Sequence, residues 1–270
     1  MPVGLAITAV IVAAVVAGVG LSRLLSRPTR AAPSACYVAT SGSRDTYTLT
    51  PDQAQNAAIV AAVALKQGLP DHAVTVALAT SLRESHLRDL PYGDRDSVGL
   101  FQQRPSQGWG TRSQLLDPVY ATAAFYHRLT QVPGWQTMPV TEAAQSVQRS
   151  ATPLAYAAWE AEGRALAAAL TGEAPAGFTC HLTGFSGPPP LTDALDAAAA
   201  SEMGSLMLAT PVSEKLGWEV ASWAVAHAWR YHIPRVTVAG WRWTASSGRW
   251  THYGSVTAAS TTTVQVAYPS

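Results

Sequence analysis

Between residues 50 and 172 apolar side chains recur at the i, i+3, i+4 spacing of buried helix faces, and no strand-like alternation interrupts them. Thr50-Pro51-Asp52-Gln53 carries the marks of a helix start: a Thr cap, Pro at the first helical position and Gln three residues on. That helix is predicted to run to Gln67, with Gly68 as its stop. A second begins at Pro70-Asp71, sets Val74, Ala77, Leu78, Ser81 and Leu82 on one face, and reaches Glu84 at its far end. Asp117-Pro118 opens a third, with Tyr120, Ala123, Ala124 and His127 on one face; Thr141 caps a fourth running toward Arg149; a fifth spans Pro153 to Leu170 and ends at Gly172. The largest irregular piece, Asp89 to Gly110, is the expected functional surface of this helical unit.

The flanking segments follow other patterns. Val3 to Leu25 is apolar apart from Thr8, Ser22 and Arg23, about the 20 residues a helix needs to cross a bilayer. Residues 1–26 are therefore expected to form a transmembrane or signal-anchor helix, and 27–46, rich in Pro, Ala, Ser and Thr, a stalk. Residues 47–172 form the helical domain, 173–190 a Gly- and Pro-rich linker, and 191–270 a small α+β unit. In that unit, helices are expected near 193–208 and 215–231, followed by three β-branched and aromatic strands beginning at Arg235, Gly248 and Thr262. The fold class is mainly α.

Composition narrows the partners. A net charge of +1 with only 13% charged residues lacks the basic face that nucleic acid requires. Cys36 and Cys180, the two cysteines, bracket the helical domain as a disulfide would, worth roughly 5 kcal/mol on the chain-entropy model and persistent outside the cytoplasm. The arginines Arg23, Arg27 and Arg30 lie at or after the C-terminal end of the apolar run and none precedes it, which by itself favours a cytoplasmic C-terminal part. The cysteine pair outweighs this, so the domain is placed on the extracytoplasmic side of the cell membrane, or secreted if the N-terminal segment is cleaved. Seven histidines without a His-Glu-x-x-His motif or a paired Cys give no metal site, Asp94-x-Asp96 lacks the remaining acids of a calcium loop, and no cofactor is expected. Six of the nine tryptophans follow residue 210; Trp218, Trp223 and Trp229 are expected to fill the small unit's core, and some of the strand residues Trp241, Trp243 and Trp250 to be exposed.

Glu84, beside a stripe of small buried residues, sits where desolvation raises a carboxyl pKa, as protonation of a glycosidic oxygen near pH 7 requires. Glu84-Ser85 at a helix end followed by Gly99-Leu100-Phe101-Gln102 resembles the soluble lytic transglycosylases and goose-type lysozymes of the lysozyme superfamily, and Gly93-Asp94-Arg95 is similar to the goose-type version. The resemblance spans roughly residues 50 to 172 and implies a lysozyme-like fold. It makes Glu84 the catalytic acid and sets Ser97, Leu100, Phe101 and Gln102 along a sugar groove. Asp94 is the residue available to activate water if the enzyme is a hydrolase. The second goose-type acid is absent, since Gln103, Arg104 and Pro105 stand after the Gln, and Ala155-Tyr156-Ala157 replaces the transglycosylases' Ala-Tyr-Asn. The run Gly99 to Gly110 is also similar to that of small exported actinobacterial proteins with a lysozyme-like domain. Gln103, Arg104 and Trp109 offer an amide, a cation and an aromatic platform, and Tyr156 completes the substrate-binding set. The resemblance thus implies a peptidoglycan-cleaving enzyme, lytic transglycosylase or muramidase, acting on glycan strands between N-acetylmuramic acid and N-acetylglucosamine. The alternative is a non-catalytic wall-binding protein with a degenerate groove.

Overall fold

Thr50 opens the first helix as its sequence requires. Its hydroxyl accepts from the Gln53 backbone N–H while Gln53 Oε1 accepts from the Thr50 N–H at 2.9 Å, so two orphan donors at the start of helix α1 (Pro51–Lys66) are met reciprocally. The computed structural model describes residues 33–39, 46–150, 152, 154–185, 192–204, 208–254 and 261–267. Eight α-helices are present among them: α1, α2 (Asp71–Ser85), α3 (Arg112–Leu115), α4 (Pro118–Leu129), α5 (Val140–Gln148), α6 (Glu160–Leu170), α7 (Thr192–Met203) and α8 (Glu214–Tyr231). No helix among the described residues is long and apolar enough to cross a membrane, and the apolar run Val3 to Leu25 lies outside them.

Helix α2 is the axis of the fold. Eleven of its residues are buried, from Ala73 through Leu82 and again at Ser85, because α1, α4, α5 and α6 surround it. An all-round apolar helix of this kind is stable only at the centre of a bundle. Gly163 of α6 sets the closest approach, since a Cβ there would fall 2.9 Å from the Ala79 nitrogen of α2. Helix α4 buries Ala121, Thr122, Phe125, Tyr126 and Leu129 and leaves His127 exposed, a different face from the expected stripe of Tyr120, Ala123, Ala124 and His127. Both sets satisfy helical spacing; the one with more apolar volume faces inward, Phe125 stacking on Phe101 at 4.7 Å and the Tyr126 hydroxyl donating to the Val60 carbonyl at 3.0 Å. The expected fifth helix is shorter than its pattern. Residues 157–159 form a 3₁₀ turn and the α-helix begins at Glu160, which puts Tyr156 in the turn ahead of it.

Two expected connectors carry strands. β1 (Ala35–Ala39), inside the anticipated stalk, pairs antiparallel with β2 (Thr46–Leu49) on one side and with β3 (Phe178–His181), inside the anticipated linker, on the other. Cys36 stands opposite Cys180 in that register and the two form the disulfide. Residues Ser34–Ser270 make one compact unit with a continuous hydrophobic core, so the C-terminal segment shares the helical segment's core: α8 packs on α1 and α6. Beyond α8, strands β5 (Arg235–Val238), β6 (Trp241–Thr244), β7 (Arg249–His252) and β9 (Gln265–Ala267) form an antiparallel sheet in the order β7-β6-β5-β9, while β4 (Pro211–Val212) pairs with β8 (Thr262–Thr263). The stretch expected as one strand from Arg235 is a hairpin, because Ala239 and Gly240 adopt φ of 47° and 74°, the positive values a two-residue type I′ turn demands. Trp218, Trp223 and Trp243 are buried, whereas Trp229, Trp241 and Trp250 are half-buried.

The α8 joint carries a titratable group of its own. Glu219 is 8% exposed, and burial together with the Asp71 charge pushes its carboxyl up to about 8, against the pull of Lys215. A carboxyl whose folded pKa exceeds its unfolded one makes the fold lose stability as pH rises from the unfolded value through the folded one. Thermal melts are therefore expected to show stability declining between about pH 4.5 and 8, and Glu219→Gln to remove that decline with a gain on the order of 2 kcal/mol at pH 8.5. A variant that melts in parallel with the parent across this range would refute the assignment.

Candidate active site

The second-last residue of α2 is Glu84, and the helix stops one residue later, at Ser85. His86 and Leu87 follow with φ of 52° and 58°, two consecutive left-handed residues that turn the chain sharply. Their carbonyls are caught from α1: Gln53 Nε2 donates to the His86 oxygen and Asn56 Nδ2 to the Leu87 oxygen, both at 2.8 Å. Ser85 then joins the two halves of the motif, its hydroxyl donating to the Leu100 carbonyl at 2.7 Å. Gly99, at φ 77°, tolerates no side chain, since a Cβ would lie 2.1 Å from the Leu115 carbonyl oxygen. The loop from Arg88 to Gly110 is thereby fixed against the end of the acid-bearing helix.

A polar cleft of about 340 Å³ opens at that end. Glu84, Asp94, Ser97, Gln102, Arg104 and Trp109 line it, which brings together most of the residues singled out from the sequence. The Tyr156 hydroxyl donates to Glu84 Oε1 at 2.8 Å from a fully buried position, so Tyr156 acts on the acid from behind the cleft. Burial pushes the Glu84 carboxyl above its ordinary value, opposed in turn by the Tyr156 hydroxyl, the Arg83 charge and the Gln148 amide. Burial and the facing carboxylate raise the Tyr156 phenol as well, keeping it a donor. Because the Tyr156 bond favours ionised Glu84, its removal should raise that carboxyl further. Tyr156→Phe is expected to lift the Glu84 titration midpoint above the parent's, read by carbon-13 NMR of labelled glutamate. An unchanged midpoint would mean that the bond is not made in solution.

Three expected groove residues lie in the core instead. Leu100 and Phe101 are fully buried and Gln103 is 1% exposed. Leu100 and Phe101 satisfy the apolar interior beneath the loop. Gln103 donates to the Ala121 carbonyl at 3.0 Å and pairs with Val98 in a short backbone bridge, so it locks the turn to α4. Gln102 does reach the cleft, although its amide nitrogen also donates to the Gly99 carbonyl at 3.2 Å. Gly93 lies so close that a Cβ would come within 1.9 Å of Gln102 Oε1. Arg104 is engaged with Asp96 at 2.8 Å, and Arg104 with Ser106 holds the Asp96 carboxyl well below the usual carboxylate range. Trp109, 6% exposed, borders the cleft, and the Arg128 guanidinium covers one face of its ring at 3.5 Å. Asp94 projects into solvent with its side chain 92% exposed, 3.9 Å from Arg95.

The opposite wall went unrecognised in the sequence. Gln148, Arg149 and Ser150, at the end of α5, line the cleft together with Arg83 of α2. Gln148 Nε2 donates to the Phe101 carbonyl at 2.8 Å, tying α5 to the loop half of the motif, while its amide helps draw the Glu84 carboxyl down. Arg149 caps α5 in the left-handed conformation, and its guanidinium forms no ion pair among the described residues. No signal local to residues 140–150 marks them as partners of Glu84. A wider cavity of about 620 Å³ contains Asp89, raised to about 6 by burial and Asp117, but it lies away from Glu84 and Gln102. No family model matches the chain, and no curated protein does.

Proposed function

We propose that this protein is an exported or membrane-anchored peptidoglycan-cleaving enzyme with a lysozyme-like helical domain, acting as a lytic transglycosylase. The observation that carries the reading is a single desolvated carboxyl, Glu84, held by a buried tyrosine at the floor of a polar cleft with Gln102 and Ser97. Burial favours the neutral acid, which can protonate the bridging oxygen as the bond to the sugar's C1 breaks. The carboxylate left behind then takes the proton of the muramyl 6-hydroxyl, whose oxygen attacks C1 to close a 1,6-anhydro ring. Asp94 supports this branch over hydrolysis: its side chain is 92% exposed and turned to Arg95 at 3.9 Å, so nothing holds it in place to position a water against the sugar. Arg83 and Arg149 take the place expected of Arg104 as cations for stem-peptide carboxylates.

Digestion of purified peptidoglycan with the full chain, with mass spectrometry of the released products, tests the reading. Anhydromuropeptides are expected. Reducing-end products would replace it with a muramidase, and wall binding without release would replace it with the non-catalytic reading.

A further inference from the structure

The outer face of the C-terminal sheet is basic and carries no acid. Strand alternation turns Val236, Val238, Trp241, Trp243 and Trp250 toward the core, and the opposite side carries Arg235, Arg242 and Arg249, with Thr237, Thr244 and Thr251 between them. Register interleaves the two types: Thr244 stands opposite both Arg235 and Arg249, and Arg242 opposite both Thr237 and Thr251. None of the three guanidinium groups makes an ion pair among the described residues. Arg242 leans on the Tyr253 ring at 4.4 Å, and its buried Nε has no hydrogen-bond partner. From Val220 to Ser270 the chain contains four arginines and no Asp, Glu or Lys. Three unneutralised arginines on one face of a chain of net charge +1 are a local excess that an anionic surface would neutralise.

The turn at one end of this sheet adjoins the point where the compact unit begins. Ala35 pairs with His181 on the edge of the other sheet, and a Cβ on Gly248, in the β6–β7 turn, would lie 2.9 Å from the His181 Cα. Thr179 Oγ1 donates to the Gly248 carbonyl at 2.8 Å, so the turn before Arg249 rests on β3 beside β1. The apolar run ends at Leu25 and the unit begins at Ser34, a stretch that spans about 30 Å at most when fully extended.

We infer that the arginine face of this sheet docks on the anionic phospholipid headgroups of the membrane that holds the N-terminal apolar segment. The inference rests on the membrane-anchor part of the proposed function and is independent of the chemistry at Glu84. Guanidinium groups suit phosphate because they bond it in a bidentate fork, and the threonine hydroxyls between them are further donors to headgroup oxygens.

The test uses full-length protein reconstituted into vesicles of phosphatidylcholine alone or with phosphatidylglycerol, with membrane insertion checked by resistance to alkaline extraction. Phenylglyoxal labelling of each arginine is then followed by peptide mass spectrometry, with Arg164, paired to Glu160 at 2.7 Å, as an internal reference. Labelling of Arg235, Arg242 and Arg249 relative to Arg164 is expected to fall about fivefold when phosphatidylglycerol is present and to recover in high salt. Equal labelling in the two vesicle types, with the protein inserted in both, overturns the proposal. Protection by soluble polyphosphate but not by phosphatidylglycerol overturns it in favour of a wall polymer. Extraction of the protein at alkaline pH removes the anchor it requires, while the digestion assay still judges Glu84 separately.

Discussion

Glu84→Gln is expected to reduce anhydromuropeptide release by about 10²- to 10⁴-fold while leaving the thermal midpoint and sedimentation with peptidoglycan essentially unchanged. Gln has the size of Glu and still accepts from Tyr156, so the floor of the cleft keeps its shape and loses only its proton. The parent should also show an alkaline limb in its rate profile above the ordinary carboxylate range, because burial holds the acid neutral to higher pH. Residual activity of the variant near the parental level would exclude Glu84 as the proton donor. A variant that is inactive and also fails to sediment with the wall would place the residue in binding.

Loss of the disulfide should have the largest effect on stability. The bond joins positions 144 residues apart, directly across the β1–β3 pair, so reduction frees most of the helical bundle's chain from a closed loop. The Cys36→Ser, Cys180→Ser double variant is expected to lose roughly 2–5 kcal/mol and about 10 °C in melting temperature. A change under about 2 °C would show that the sheet holds its edge without the bond. The cleft lies among α2, α5 and the Arg88 to Gly110 loop, away from this sheet, so cleavage at a temperature well below the lowered midpoint should continue.

Much of this architecture was legible in local chemistry, and the failures have physical reasons. Thr50 and Gln53 announced the start of α1, and the positions of Glu84 and the Gly99 to Gln102 run sufficed to place the acid beside its loop. Leu100 and Phe101 misled because a motif gives adjacency without direction. In this tight turn the apolar side chains face the core, and it is their carbonyls that Ser85 and Gln148 engage. The wall formed by Gln148 to Ser150 arises from packing against a loop whose bonded residue, Phe101, is 47 positions away, which no local period encodes. β1 escaped notice for the same reason: its pattern is poor, and what makes it a strand is the partner at Phe178–His181. The Ala239-Gly240 turn hid behind an alanine held at positive φ where Asn or Asp is the usual signal.

One side chain described above governs what substitutions the fold can accept. A capping box ordinarily takes Glu or Gln at its third position with little to choose between them. Here Gln53 uses both ends of its amide, the oxygen to close the start of α1 and the nitrogen to hold the His86 carbonyl two residues past the acid. The substitution Gln53→Glu would keep the first bond and set a carboxylate oxygen against a carbonyl oxygen in the second. The usual freedom of exchange is withdrawn at this position, and the turn that follows the Glu84 carboxyl is held by a cap residue 31 positions upstream of it.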